Sequence, residues 1–443
     1  MNVIGKLRAH RLRPLIHNQK QFYDRDWSPA EIRAWQLDQF NEQWQIIQQN
    51  VPYFARLARE RSLPERFDSW MQFREELPVV NRDTVQEHGD ALANTTSSPD
   101  FRRVTGGSTG EPVQIPAWSS EQKYEQRDYW YARDWYGITP ADRLFLLWGH
   151  SHAFGEGIAG WWKKRKRQLK DWLLGYHRFS AYDMSQEALK AAGEALVEME
   201  PDYVLGYSTA LDKWARATQN RRRDYHALNL KAVIATAESY PRADSPGVIE
   251  ETFGAPVVME YGTVETGPIA YQAPQEDFQI FWRDYKIEGE KTDLADGAYE
   301  IFVTSLYPRC FPLIRYRIGD LVRENPSSPR FDQTLSSILG RCNDYIELEG
   351  GRRIHSEAIT HAVKDIPAVR AYQVHQRVDG SITMYYVGEN QEGLEERARE
   401  MITQRFAEVD PELQKIELER VSALEQTPAG KQKRVVREGA ERE

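Results

Sequence analysis

The stretch Val104 to Pro112, VTGGSTGEP, is where residue types and spacing first suggest chemistry. Gly106, Gly107 and Gly110 let the backbone approach closely and take positive φ, and Thr105, Ser108 and Thr109 add hydroxyls. Such a loop turns several N–H groups and hydroxyls onto one anion. A polyphosphate cradle is one reading; a surface loop of small residues is the other. Two further stretches carry reactive or charged groups. Gly149-His150-Ser151-His152 follows an apolar run. It suits a pocket wall better than a metal site, since two His at i, i+2 still need a third ligand. Trp161 to Trp172 interleaves Lys163, Lys164, Arg165, Lys166, Arg167 and Lys170 with aromatic residues. That pattern fits acidic lipid headgroups, a nucleotide-linked substrate or coenzyme A phosphates, and equally a solvated charged face.

The elements that must position these groups alternate in type. Ser28-Pro29-Ala30-Glu31 is a capping-box start with proline at the first helical position. Leu37, Phe40, Trp44 and Ile47 then recur at helical spacing, and residues 1–100 form a largely helical lead-in. Arg143 to Trp148 is a buried strand, Ser185 to Met199 a helix stopped by Pro201, and Tyr203 to Ser208 a strand leading into a turn. Ala232 to Ala235 and Pro256 to Met259 are further strands. The second runs into a turn-prone segment, Glu260-Tyr261-Gly262-Thr263-Val264-Glu265. This alternation predicts an α/β domain with a mostly parallel sheet. Its sites lie at the strand ends, where Trp148, His150, Tyr207, Ala237 and Glu238 fall.

Gly297 to Thr304 alternates as a strand. Beyond Gly340-Arg341 the pattern changes to a small α+β unit. Its strand covers Tyr345 to Leu348, a helix starts near Glu357, and a hairpin spans Val374 to Val387 with its turn at Asp379-Gly380. A charged helix from Leu394, a strand at Lys415 to Val421 and a polar loop, Gln426 to Lys431, complete it. The expected division is 1–340 and 341–443.

The totals agree with a folded, globular protein. At 443 residues the chain has length for two or three domains with a sizeable core. A net charge of −9 leaves no global basic footprint for nucleic acid. Cys310 and Cys342 cannot build a disulfide framework, which fits a reducing cytoplasm. The basic start lacks an apolar signal core, and no apolar run approaches membrane-spanning length.

In order and spacing these blocks resemble the adenylate-forming acid ligases. Within them, the chain is similar to the phenylacetate–coenzyme A ligase type and its relatives in capsular polysaccharide clusters. The resemblance runs from about Phe54 to Arg434. It equates Thr105 to Pro112 with the phosphate loop, Ala237-Glu238 with the adenine-contacting turn, and Tyr261 to Glu265 with a Tyr-Gly-x-x-Glu block. Phe311 to Asp320 matches the Arg-Tyr-Arg-x-x-Asp block, Gly340-Arg341 opens a mobile domain, and Gly430-Lys431 is the final lysine loop.

What the resemblance implies is a large N-terminal α/β adenylate-forming domain and a small mobile C-terminal α+β domain. The implied activity joins a carboxylic acid to AMP from ATP, releases pyrophosphate, and passes the acyl group to coenzyme A. In that scheme Thr105, Gly106, Gly107, Ser108, Thr109 and Gly110 hold the phosphates. Ala237, Glu238, Tyr261, Gly262 and Thr263 line the nucleotide, and Asp320 accepts from the ribose hydroxyls. Glu265 is the Mg2+ ligand, Arg341 lies near ribose or phosphate, Asn343 is the hinge and Lys431 is the catalytic cation. Trp148, His150 and Tyr207, with Tyr261 and Gly262, would line an aromatic acid pocket.

Three departures stand out. Glu111 puts a negative charge at the end of the phosphate loop, Asn343 replaces the usual Asp or Lys at the hinge with Asp344 next, and Trp161–Trp172 has no assigned counterpart. Alternative outcomes are transfer to an amine or sugar, AMP transfer to a hydroxyl, or a nucleotide-binding scaffold without catalysis. A homodimer and peripheral membrane contact through Trp161–Trp172 are the remaining partner readings.

Overall fold

The computed structural model describes residues 3–104, 113–148, 165–166, 169–181, 185–274, 277–327, 331–342, 344–363, 366, 369–388, 394–426 and 432–438. The lead-in is helical as expected. Helix Pro29–Asn50 opens on the Ser28 capping box, in which the Ser28 side chain accepts from the Glu31 N–H and the Glu31 side chain from the Ser28 N–H. Its buried face is Ile32, Gln36, Phe40, Trp44 and Ile47, with Leu37 at the margin. Gln36 belongs there because its amide donates to the Trp282 and Tyr285 carbonyls, at 2.8 and 3.2 Å. A buried amide without such partners would cost a few kcal/mol.

The strands that follow are β1 (Phe101–Val104), β2 (Gln114–Ala117), β3 (Leu144–Trp148), β4 (Tyr176–Ser180), β5 (Tyr203–Tyr207), β6 (Val233–Thr236) and β7 (Val257–Thr263). Next come β8 (Gly267–Gln272), β9 (Phe278–Ile280), β10 (Tyr285–Lys291), β11 (Ala298–Ser305), β12 (Tyr316–Glu324) and β13 (Thr334–Arg341). β1 and β2 form an antiparallel hairpin around the glycine stretch. β3 to β13 make one sheet of eleven strands in the order β10-β11-β12-β13-β9-β8-β7-β6-β5-β3-β4.

The sheet is α/β but not mostly parallel. The pairs from β4 to β7 are parallel, and every pair from β7 to β10 is antiparallel. Connections decide this. Parallel neighbours need a crossover, supplied by helices Gln186–Met199, Ser208–Ala217 and Ser245–Phe253. β7 instead reaches β8 through three residues, which forces reversal. A second difference is that β5 passes directly into helix Ser208–Ala217, where a turn was expected.

The core of this sheet ends at Leu335, and a second core begins at Ile346. Around the second core lie β14 (Tyr345–Glu347), β15 (Arg353–His355), β16 (Ala371–Gln376), β17 (Ile382–Val387), β18 (Glu417–Arg420) and β19 (Val435–Arg437). The order β18-β17-β16-β19 backs onto helices Ser356–Val363 and Leu394–Val409. The β16–β17 hairpin turns at Gly380, φ +85°, as its Asp-Gly pair requires. Arg434 bridges the two cores by donating to the Tyr240 carbonyl at 2.8 Å and to that of Pro241. No helix among the described residues is long and apolar enough to cross a membrane. In the basic–aromatic segment, Leu169 and Trp172 are exposed while Asp171 is buried in an ion pair with Arg178 at 2.6 Å.

Candidate active site

Three predicted residues converge although they are far apart in sequence. The Tyr261 hydroxyl on β7 donates to Asp320 Oδ2 on β12 at 2.8 Å. Arg341 Nη1 on β13 lies 3.3 Å from Asp320 Oδ1. Asp320 and Arg341 face each other in the β12–β13 ladder, so the pair is set by strand register. Burial raises the Asp320 carboxyl above its ordinary range, and Arg341 and the Tyr261 hydrogen bond oppose that rise. The Asp320 charge raises the Arg341 guanidinium further. The Arg341 side chain stays half exposed, with a donor face available to a ligand.

Glu265 sits in the β7–β8 turn. Thr263 and Thr266 close this turn: the Thr263 N–H donates to Thr266 Oγ1 at 3.1 Å, and the Thr266 N–H to Thr263 Oγ1 at 3.2 Å. Gly262 is glycine for a steric reason. A Cβ there would lie 2.2 Å from the Gly267 carbonyl oxygen, across a bulge in the β7–β8 ladder. The Glu265 carboxylate faces the Tyr316 hydroxyl, which burial first and that carboxylate second hold above the usual phenol range. One partly exposed carboxylate suits Mg2+, which takes one or two protein carboxylates and fills its shell with phosphate and water oxygens.

The other wall is aromatic. Trp148 and Tyr207 end neighbouring parallel strands, and their rings touch at 4.5 Å between centroids. Tyr207 pairs with Thr236, which leads to Ala237 in positive φ, +71°. Glu238 uses its side chain to cap a helix: Oε1 accepts from the Thr209 N–H at 3.0 Å, and Ser208 Oγ donates to the Glu238 carbonyl at 2.8 Å. A carboxylate at a helix N-terminus is favourable. Tyr207, Thr209, Lys213, Glu238 and Gln426 line a narrow cavity beside it.

Thr105, Gly106, Gly107, Ser108, Thr109, Gly110, His150, Asn343 and Lys431 lie outside the described residues. Their neighbours are informative. β1, which precedes the glycine stretch in the chain, lies beside the Glu265 turn, where Arg103 Nη1 donates to the Val264 carbonyl at 3.4 Å. Gln426 and Arg434, on either side of the lysine loop, contact the region after β6. At the junction of the cores, the Asp344 N–H donates to the Arg341 carbonyl at 3.0 Å, and His355 Nε2 lies 2.9 Å from the same oxygen.

Residues missed in the sequence lie beneath the Glu265 turn. Arg309, Glu121, Arg103, Glu125, Tyr285 and Tyr307 form a buried polar layer. The only sequence signal was a charged residue inside an apolar run, Tyr307 to Ile314.

No family model matches the chain. It is 23% identical to protein CapK of Staphylococcus aureus over 321 residues, 70% of this chain and 68% of that protein. It is 22% identical to phenylacetate-coenzyme A ligase of Escherichia coli over 362 residues, 76% of this chain and 77% of that one. Among solved structures, 2-hydroxyisobutyryl-CoA ligase in the postadenylation state superposes with a TM-score of 0.69 at 18% identity, over 91% of this chain and 89% of that one. The same ligase in the thioesterification state gives a TM-score of 0.57 over 92% and 90%. The amide bond synthetase McbA from Marinactinospora thermotolerans gives 0.52 at 17% identity, over 75% and 67%. In sequence the chain is similar to CapK and the phenylacetate–coenzyme A ligases, and it has the fold of the adenylate-forming ligases.

Proposed function

We propose that the protein activates a carboxylic acid as an acyl-AMP and then transfers the acyl group to coenzyme A. The observation that carries this is the Tyr261–Asp320–Arg341 cluster beside the Glu265 turn: the two acceptor oxygens of Asp320, a half-exposed guanidinium and a metal-suited carboxylate brought together from β7, β12, β13 and the β7–β8 turn. Asp320 accepts from the ribose hydroxyls, with Tyr261 and Arg341 holding its two oxygens in place. Arg341 offers its remaining donors to ribose or phosphate. Thr105 to Gly110 hold the departing phosphates, and Ala237, Glu238, Gly262 and Thr263 line the base. Mg2+, held by Glu265, offsets phosphate charge when bound.

The acid lies against Trp148, His150 and Tyr207. Its carboxylate oxygen attacks the α-phosphorus, the bond to the β-phosphate oxygen breaks, and the electron pair leaves on pyrophosphate. Lys431 neutralises the charge that two meeting anions develop. The thiol sulfur of coenzyme A then attacks the acyl carbon and AMP leaves. Two units, 1–340 and 341–443, rotating near Asn343, exchange Lys431 for the acceptor. The positions of Gln426 and Arg434 on the adenine side, and the closer match to a postadenylation conformer, support an adenylating arrangement of the two units.

An amine acceptor is the second reading, favoured by the presence of an amide bond synthetase on the same fold. The test is ATP–pyrophosphate exchange over aryl, fatty, amino and uronic acids, followed by AMP release on adding coenzyme A or amines. Lys431→Ala is expected to cut acid-dependent exchange by about 3–4 kcal/mol, several hundred-fold, while ATP still binds. Unchanged exchange in that variant sinks the mechanism.

A further inference from the structure

Arg309 is almost fully buried, on the segment between β11 and β12. Its guanidinium donates to two consecutive carbonyls of the Glu265 turn: Nη2 to Glu265, and Nη1 to Thr266 at 3.4 Å. Nη1 also donates to the Tyr307 hydroxyl at 3.0 Å. Arg103 Nη1 donates to the preceding carbonyl, that of Val264, at 3.4 Å. Tyr285 adds a hydroxyl donor to the Thr266 carbonyl. Three successive carbonyl oxygens are therefore held by two arginines and a tyrosine. A turn pinned on its carbonyls has little freedom in the direction of the side chain between them.

The two arginines share one counter-ion. Glu121 is fully buried; its Oε2 lies 3.4 Å from Arg103 Nη2 and 3.8 Å from Arg309 Nε. Its Oε1 accepts from the Trp118 and Cys310 N–H groups, each at 2.9 Å. Glu125 pairs with Arg103 as well. Arg103 stands on β1, just before the glycine stretch, so one buried ionic layer ties the phosphate-loop hairpin to the metal turn. Desolvating these charges is costly unless each is paired, and here the pairing is made across the turn and β1.

We propose that Arg309 is a positioning residue: by gripping the Glu265 and Thr266 carbonyls it fixes the Glu265 carboxylate for metal-bound nucleotide, and through Glu121 and Arg103 it ties that turn to β1. This rests on the metal role of Glu265 proposed above. A group that acts on a metal through its ligand typically changes metal affinity by about 10–100-fold when altered.

The test uses full-length protein and Mn2+ as the metal probe, titrated in the presence of ATP and read by its electron paramagnetic signal. Arg309→Lys keeps a cation but loses the forked grip. It is expected to weaken Mn2+ binding about ten-fold and to leave the KM of the acid unchanged. Glu265→Gln alone, and the two substitutions together, complete a cycle. If Arg309 acts through Glu265, adding Arg309→Lys to Glu265→Gln weakens Mn2+ binding no further. Additive effects, or unchanged Mn2+ affinity in folded Arg309→Lys, overturn the proposal. Should that variant fail to fold, Tyr285→Phe removes one donor from the Thr266 carbonyl and is read the same way: a smaller loss that disappears beside Glu265→Gln supports the proposal, and no loss or an additive one overturns it. Unchanged Mn2+ affinity in Glu265→Gln alone instead removes the metal role of Glu265, a separate failure from that of Arg309.

Discussion

The two halves of the large sheet meet the candidate site with different chemistry. The parallel half, β3 to β7, presents aromatic rings and loop backbone: Trp148 against Tyr207, then the Ala237 turn. The antiparallel half, β8 to β13, presents charge in fixed register, with Asp320 opposite Arg341. The contrast follows from how the strands are joined. Parallel strands end on the same side and leave through long crossovers, so their loops are free to vary in shape and lining. Antiparallel neighbours hold facing residues about 5 Å apart, so a charged pair is set once the ladder forms. The aromatic rings of the parallel half suit selection of an acid, and the registered charges suit the ribose and phosphates of a nucleotide that does not change. The seam is the β7–β8 turn, which carries Glu265.

The comparison breaks first at Asp320. Asp320→Asn is expected to raise the KM for ATP by about 10–100-fold, from roughly 1.5–3 kcal/mol of lost charge-assisted hydrogen bonding, with little change in the KM for the acid. Steady-state pyrophosphate release measures both; equal rises in the two constants would erase the division between the halves. The same side chain predicts a pH signature. Burial raises its carboxyl in the native state. Its stability contribution is therefore full below the unfolded carboxylate pKa and lost as pH rises through the raised native value. Nucleotide binding has the opposite sign: it needs the ionised form, and weakens as pH falls through that raised value. Denaturation and ATP-binding profiles of Asp320→Asn should lack both limbs.

The seam is tested by Gly262→Ala. The added methyl meets the Gly267 carbonyl and is expected to destabilise the fold by about 1–3 kcal/mol, as overpacking does. Urea midpoints report this, and an unchanged midpoint would mean that the bulge relaxes freely. The smallest effect belongs to the aromatic wall. Tyr207→Ala loses a ring contact of about 0.5–1.5 kcal/mol and should raise the KM of the best acid by about three- to ten-fold while leaving that of ATP unchanged. A shift confined to ATP would assign this wall to the nucleotide.

Local chemistry was legible in the residues themselves. The Ser28 capping box, the helix Gln186–Met199, the strands ending at Trp148 and Tyr207 and the Asp379-Gly380 turn each follow from periodicity or backbone preference within a few residues. The ordered blocks also marked the family and the strand ends. What tertiary structure alone decided is which side chains meet. Tyr261 reaches Asp320 across 59 positions and between strands that are not neighbours. Half the sheet reverses direction because β7 returns through a tight turn, which strand pattern does not encode. Glu238, read from the sequence as a nucleotide contact, also caps the helix after β5 with its side chain, a contact made only in the fold. Arg309 showed only as one charge inside an apolar run, and Glu121 not at all, because a buried charge is tolerable only beside its partners, and those partners come together only when the chain folds.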